Sequence, residues 1–416
     1  MDSIEVKEGS MQIEDATKKN VTKVEKDTDQ EEQYELKKAL SKEGVMCLVL
    51  VFGGMMLLAS KMGTANLFNT MINTAFDLLI NTVFYIMAVA VLAGAFAGLL
   101  TEFGGVAIIN KGLSKLMKPL YDLPGASVLS ILTTYFSDNP AILTLCEDKR
   151  FRSYFKKYQL PALTNLGTAF GMGLVITVYM VGLQGVGKHL GLAVLVGNIS
   201  AIIGSVISTK IMIRYTKKVY GTKEWCEAQR EQVDLINYRQ VRKGTLAERF
   251  MSAILEGGHS GVNMGLAIVP GVLIICTFVM LLTNGPSTSG QYTGAAYEGI
   301  ALLPYIGEKL KFILQPLFGF TSPQVIAVPI TSLGAAGAAI GLIPSMIQEG
   351  LASVRDIAVF TAMCMCWSGY LSTHTAMMDG LGCRKLTGKA ILAHTIGGIC
   401  AGIAANWIFT GIVFLL

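Results

Sequence analysis

The stretch LPGASVLSILTTYFSDNPAILTLC, residues 123–146, decides the fold. It is apolar on both sides of a polar break, Ser137-Asp138-Asn139-Pro140. Each arm of about 10–13 residues makes about 15–20 Å of helix at 1.5 Å per residue. Neither arm crosses a hydrocarbon core of about 30 Å. The economical reading is a helix–break–helix hairpin that enters a bilayer and returns on the same side. Non-helical backbone at that depth is stable only inside protein or against a water-filled cavity. The stretch therefore predicts an all-α polytopic membrane protein with an internal site near the break.

The rest of the chain agrees. Of 416 residues, 52% are hydrophobic and 15% charged, and the mean hydropathy is +0.52. Soluble domains carry about 25% charge. Much of the charge lies in residues 1–43, which read as a polar cytoplasmic tail without the apolar core of a signal peptide. The 45 glycines suit close helix contacts in a bilayer. The eight cysteines show no metal-finger spacing and read as small membrane hydrophobes. The net charge of +5 comes from basic loops beside spans, the pattern of the positive-inside rule, and implies no nucleic-acid partner.

Seven full spans are expected, at 44–60, 75–101, 161–184, 190–213, 261–283, 357–380 and 389–415. Residues 61–74 read as a linker and 251–260 as an interfacial lead-in. Two segments, 105–120 and 300–317, place lysines off an apolar helical face and read as interfacial helices. A second broken hairpin is expected at 320–347, around residues 331–337. The two interfacial-helix–hairpin units align in letters: KLMKPLYDLPGASVLSILTT (115–134) lies on KFILQPLFGFTSPQVIAVPITS (311–332), Pro119 on Pro316 and, after a short gap, Pro124 on Pro323. The basic segments 147–160 and 214–250 belong to one side, and 284–298, which has no Lys or Arg, to the other. The two units then have opposite orientation, an inverted repeat. The implied organisation is a tail (1–43), peripheral scaffold spans (44–101), a first repeat (102–213), a basic loop with an interfacial stretch (214–260), a connecting span and external loop (261–299), and a second repeat (300–416). The expected location is the cell's inner (cytoplasmic) membrane.

This layout, with LEGGHSGVNMGLAIVPGVLIICTFVMLLTNG (255–285) and the two Pro-anchored hairpins, resembles the gate-domain, or nucleoside-recognition, membrane proteins and the concentrative nucleoside transporter fold. The resemblance covers roughly residues 100–416. It implies a transporter with a homo-oligomeric scaffold, trimeric or dimeric. The Gln-Thr-Glu-type and Asn-Glu-Phe-Val-Ala-like clusters of the nucleoside branch are not found in the chain, and neither is the phosphate loop of iron permeases.

Candidate site residues sit where the hairpins break and on two polar spans. Asp138, with Ser137, offers oxygen ligands to a coupling Na⁺, because a carboxylate at mid-membrane costs about 2.5–3.5 kcal/mol on insertion scales. The alternative is an Asp cap ahead of Pro140. Asn139 and Ser332 stand at the two tips, and Asn165 and Thr168 at i, i+3 on span 161–184. Ser368, Ser372 and Thr375 form a stripe at i, i+4, i+7 on span 357–380. The same hydroxyls could instead be interhelical hydrogen-bonding residues. Together these residues are expected to bind a small polar solute around one cavity. The expected function is Na⁺- or H⁺-coupled secondary transport (symport), with no cofactor beyond a bound Na⁺. The other reading is a non-transporting gate-domain protein in assembly or signalling. No zinc-helix or Ser-His pattern supports an enzyme.

Overall fold

The structure, a computed structural model, describes residues 38–227, 234–287 and 289–416, with the backbone but not the side chain of Ser372. The expected tail therefore lies outside the described residues up to residue 37. The described residues are helical, with one isolated bridge between Lys156 and Trp225 and no β-ladder. The chain is an all-α polytopic membrane protein. The described residues divide into two units, one ending at Lys61 and one starting at Met62. The helix Lys42–Met62, all but its last residue in the first unit, has 21 residues with a mean hydropathy of 2.1.

The second unit runs through one series of elements twice. The first series is the long helix Thr64–Glu102, the interfacial helix Gly105–Tyr121, a hairpin of Gly125–Phe136 and Ala141–Glu147, the span Ala162–Val181 and the helix Leu190–Tyr220. The second is the long helix Leu246–Thr283, the interfacial helix Leu302–Phe318, a hairpin of Pro323–Ser332 and Ala336–Gln348, the helix pair Val354–Trp367 and Tyr370–Gly380, and the helix Thr387–Leu415. Three helices of the first series, Thr64–Glu102, Ala162–Val181 and Leu190–Tyr220, are long and apolar enough to cross, so the second series starts in the opposite sense. Leu302–Phe318 meets Pro323–Ser332 at a bend of 74°, the turn from an interfacial helix into a hairpin.

Among the described residues, six helices are long and apolar enough to cross a membrane on their own. The seventh expected span, 357–380, is two helices broken at Ser368-Gly369, where Ser368 and Gly369 both take left-handed conformations. Span 161–184 is also interrupted, between Thr168 and Gly173. Residues 64–77 are helical rather than a linker, because Leu67, Thr70 and Thr74 bury one face. Residues 251–260 belong to a helix that starts at Leu246 behind a capping box of Thr245 and Glu248. Thr64–Glu102 and Leu246–Thr283 hold the same place in the two series.

The counterparts pack on each other through small residues. A Cβ on Gly94 would lie 2.3 Å from the Gly257 carbonyl oxygen, and one on Gly257 would lie 2.2 Å from that of Gly94. The last helices of the two series touch in the same way, Gly204 against Gly397 at 2.6 Å and Gly397 against Gly204 at 2.7 Å. Without side chains at the crossing, backbones approach closely, the usual basis of helix association in lipid.

Polar contacts sort the loops onto two faces. Lys157 pairs with Glu224 at 2.9 Å and Arg152 with Glu227 at 3.0 Å, so the two basic segments meet. Arg249 pairs with Glu102 at 2.7 Å on the same face. On the opposite face, Asn66 and Asn73 donate to the Tyr292 and Gly294 carbonyls, each at 2.9 Å, and hold the loop 284–301 against the start of Thr64–Glu102.

Candidate functional site

Four breaks in helical backbone meet. At the first hairpin tip, Ser137 leaves the helix with φ −134° and ψ −127°. Its carbonyl accepts from the Met172 N–H at 3.1 Å, inside the interruption of Ala162–Val181. At the second tip, the Ser332 carbonyl accepts from Gly369 N–H at 2.9 Å and that of Leu333 from Leu371 N–H at 3.2 Å. Each hairpin thus satisfies donors that the broken span of its own series leaves open, as buried backbone groups require. Gly369 combines φ +69° with an approach of 2.9 Å between its Cβ position and the Gly334 carbonyl oxygen, so both dihedral and space call for glycine.

Asn139 joins the two series. Its Nδ2 donates to the Ser368 carbonyl at 2.6 Å and to Thr373 Oγ1 at 3.3 Å. The residue is fully buried. Its Oδ1 and the Ser368 hydroxyl lack hydrogen-bond partners among the described residues. Both sit over Gly171, where a Cβ would lie 1.7 Å from Asn139 Oδ1 and 2.6 Å from Ser368 Oγ. Two buried oxygens without donors, beside broken backbone, form a site that a hydroxyl, an N–H or a cation would complete.

The remaining candidates divide. Ser137 joins by its carbonyl and Ser332 by its carbonyl, while the Ser332 hydroxyl turns back on Pro329 at 2.7 Å. Asp138 is half-buried, and its Oδ1 accepts from the Asn139 N–H at 2.7 Å, the geometry of a local cap. Thr168 is buried with an unpartnered hydroxyl at the end of its helix. Asn165 stands apart from the tips. Its Nδ2 donates to Ser208 Oγ and to the Ala390 carbonyl, each at 2.9 Å. Ser208 in turn lies 3.0 Å from His394 Nδ1. The Cys366 carbonyl takes the other ring nitrogen, so Nε2 carries the proton and Nδ1 accepts from Ser208. Asn165 therefore ties three helices together. Thr375 is exposed, and the break at Ser368 interrupts the helical stripe it was expected to share. The side chain of Ser372 lies outside what is described.

Gly171, Gly369 and Thr373 are the site residues that the sequence did not single out. Their signals are weak: glycines in Phe170-Gly171-Met172-Gly173 and Ser368-Gly369, and for Thr373 one hydroxyl among several on its span. Among the described residues no group of three or more His, Cys, Asp or Glu could hold a metal ion.

No family model matches the chain, and none of the curated proteins does. Solved structures do. "Structure of CNTnw in an inward-facing substrate-bound state" superposes with a TM-score of 0.52 at 14% identity, covering 89% of this chain and 82% of that one. A second structure of the same protein, in an intermediate state, covers 89% and 83% at 15% identity with a TM-score of 0.47. The described fold is thus similar to that of CNTnw, a concentrative nucleoside transporter.

Proposed function

We propose that this chain is a secondary active transporter of a small polar solute, housed in the inner membrane and driven by Na⁺ or H⁺. One observation carries the reading: two hairpin tips and two broken spans meet at Asn139, Gly171, Ser368 and Gly369 with unpartnered buried oxygens. The solute completes the hydrogen bonds of Asn139 and Ser368. A coupling cation sits at the first tip, on Ser137 and Asp138, where the carboxylate lies in an apolar hairpin. Discontinuous helices meeting between inverted repeats are the common site of such transporters. The fold's likeness to CNTnw supports the class but names no solute for this chain.

The test is counterflow in proteoliposomes with a broad panel of nucleosides and other small polar metabolites. A solute that exchanges against its own pool in the native chain, with exchange abolished by Asn139→Leu, is the expected result. Absence of exchange across the panel would favour the assembly or signalling reading instead.

A further inference from the structure

A cavity of about 590 Å³ opens on the face opposite the basic loops. Its walls include none of the tip residues of the proposed solute site. They come from Thr64–Glu102, the end of Ala162–Val181 and the residues 182–184 after it, Met280 of Leu246–Thr283, the return arm of the second hairpin and Tyr297. Small-molecule sites run about 300–1,000 Å³.

The lining has an uneven chemistry. Asp77 is its one formal charge among the described residues, with no Lys, Arg or His beside it. Its carboxylate is aimed by neutral donors only. Asn81 Nδ2 donates to Oδ1 at 2.7 Å, and the Tyr297 hydroxyl donates to Oδ2. Tyr297 holds φ +66°, an uncommon conformation for a side chain of that size, and its N–H donates to Thr74 Oγ1 at 2.8 Å. Asp77 leads into a π-helical segment, Leu78–Val83, that bears Asn81; such segments frequently mark functional sites. Tyr85 and Tyr179 add ring surface, packed edge to face at 5.7 Å. Gln184 and Gln348 supply amides. The neighbouring carboxylate, Glu298, is used up differently, accepting from Thr293 N–H, Thr293 Oγ1 and Gly294 N–H to hold the loop.

We propose that this cavity is a binding site for a small organic cation, an amine with an apolar or aromatic body, separate from the site at the hairpin tips. The ammonium neutralises Asp77, which has no counter-ion among the described residues, and meets the tyrosine rings by cation–π contact, while the same rings take the body by apolar contact. A bare metal ion is a poor match, because one carboxylate and aromatic rings leave its coordination incomplete. An anion is repelled.

The test needs no transport. Phenethylamine and its neutral counterpart 2-phenylethanol are titrated by calorimetry into the full-length chain in detergent. The amine should bind saturably and about tenfold or more tighter than the alcohol. Asp77→Asn keeps the shape and the acceptor for Asn81, and should bring the amine down to the alcohol's affinity while leaving the alcohol unchanged. Should Asp77→Asn fail to give monodisperse protein, Gln348→Lys decides the matter, because it sets a competing ammonium on an exposed rim residue. It too should weaken the amine alone. Equal binding of amine and alcohol in the native chain, or amine binding indifferent to the variants, overturns the proposal.

Discussion

The smallest residue at the tips separates function from folding. A methyl group on Gly171 would fall 1.7 Å from Asn139 Oδ1, which is the free end of a side chain and can swing aside. That swing breaks the 2.6 Å bond to the Ser368 carbonyl. Leaving one buried acceptor unmet costs about 1–3 kcal/mol. Gly171→Ala is therefore expected to keep a folded chain with a modestly lower melting temperature and to lose counterflow. Retained exchange at the native rate would remove Asn139 and Ser368 from the solute path. Asp138 poses a different question. Its Oδ1 caps the Asn139 N–H, and its charge sits in an apolar hairpin. Asp138→Asn preserves the capping oxygen and deletes the charge. Under the proposed coupling, uptake driven by a cation gradient should vanish while solute counterflow persists. Fully coupled uptake in the variant would reduce Asp138 to a cap and leave the cation to the oxygens of Asn139 and Ser368.

At the scale of elements, the same substitution has another meaning where the obstacle is backbone. A Cβ on Gly257 would meet the Gly94 carbonyl at 2.2 Å, so Thr64–Glu102 and Leu246–Thr283 would have to separate. Overpacking of this kind costs about 1–3 kcal/mol or more. Gly257→Ala should lower the melting temperature in detergent more than Gly171→Ala does; equal melting of the two would show that this crossing does not limit stability. The loop 284–301 offers a pH test. Burial pushes the Glu298 carboxyl up, but the Thr293 hydroxyl, the Thr293 N–H and the Gly294 N–H together hold it below its usual value of 4.5. A depressed folded-state value means the contribution is full above the ordinary Glu range and fades as pH falls through the lowered value. The melting temperature should thus lose a Glu298-dependent part only on acidification below about pH 4.5, and Glu298→Gln should remove that part; an unchanged pH profile in the variant would release Glu298 from the role. Much at this scale was legible in the chain. Both interfacial helices and both hairpins follow from amphipathic spacing and from prolines next to short apolar arms. The two interrupted spans did not, because their breaks are stabilised from outside by Ser137, Ser332 and Leu333 carbonyls, and locally only a glycine marks each. Asn165 shows a related limit: its letter shows polarity, but the face it takes, toward Ser208 and Ala390, depends on which helices pack there.

For the whole molecule, the order of elements and the pairing of counterparts make one claim. Three crossings in the first series invert the second against it, and the long helices at the start of each series meet, as do the helices at the end. In this fold Asn139 of the first tip bonds the Ser368 carbonyl in the broken span of the second series, whose next residue, Gly369, bonds the second tip. We propose a homo-oligomeric scaffold, and native-lipid mass measurement is expected to show a trimer or dimer; a strictly monomeric species would count against it. Orientation is the sharper test. The basic segments 147–160 and 221–227 contact each other, whereas 284–301 is pinned to residues 66–74 on the opposite face. By the charge rule, the basic face is cytoplasmic. In a cysteine-free background, Ser289→Cys should react with an impermeant maleimide in intact cells. Thr222→Cys, exposed in the basic loop, should react only after permeabilisation. Reaction of both from one side would break the inverted repeat, since an odd number of crossings must separate the two loops. The reverse pattern, with Thr222→Cys outside, would keep the fold and the meeting of the tips but turn the organic-cation cavity toward the cytoplasm, and with it the side from which an amine gains access to Asp77.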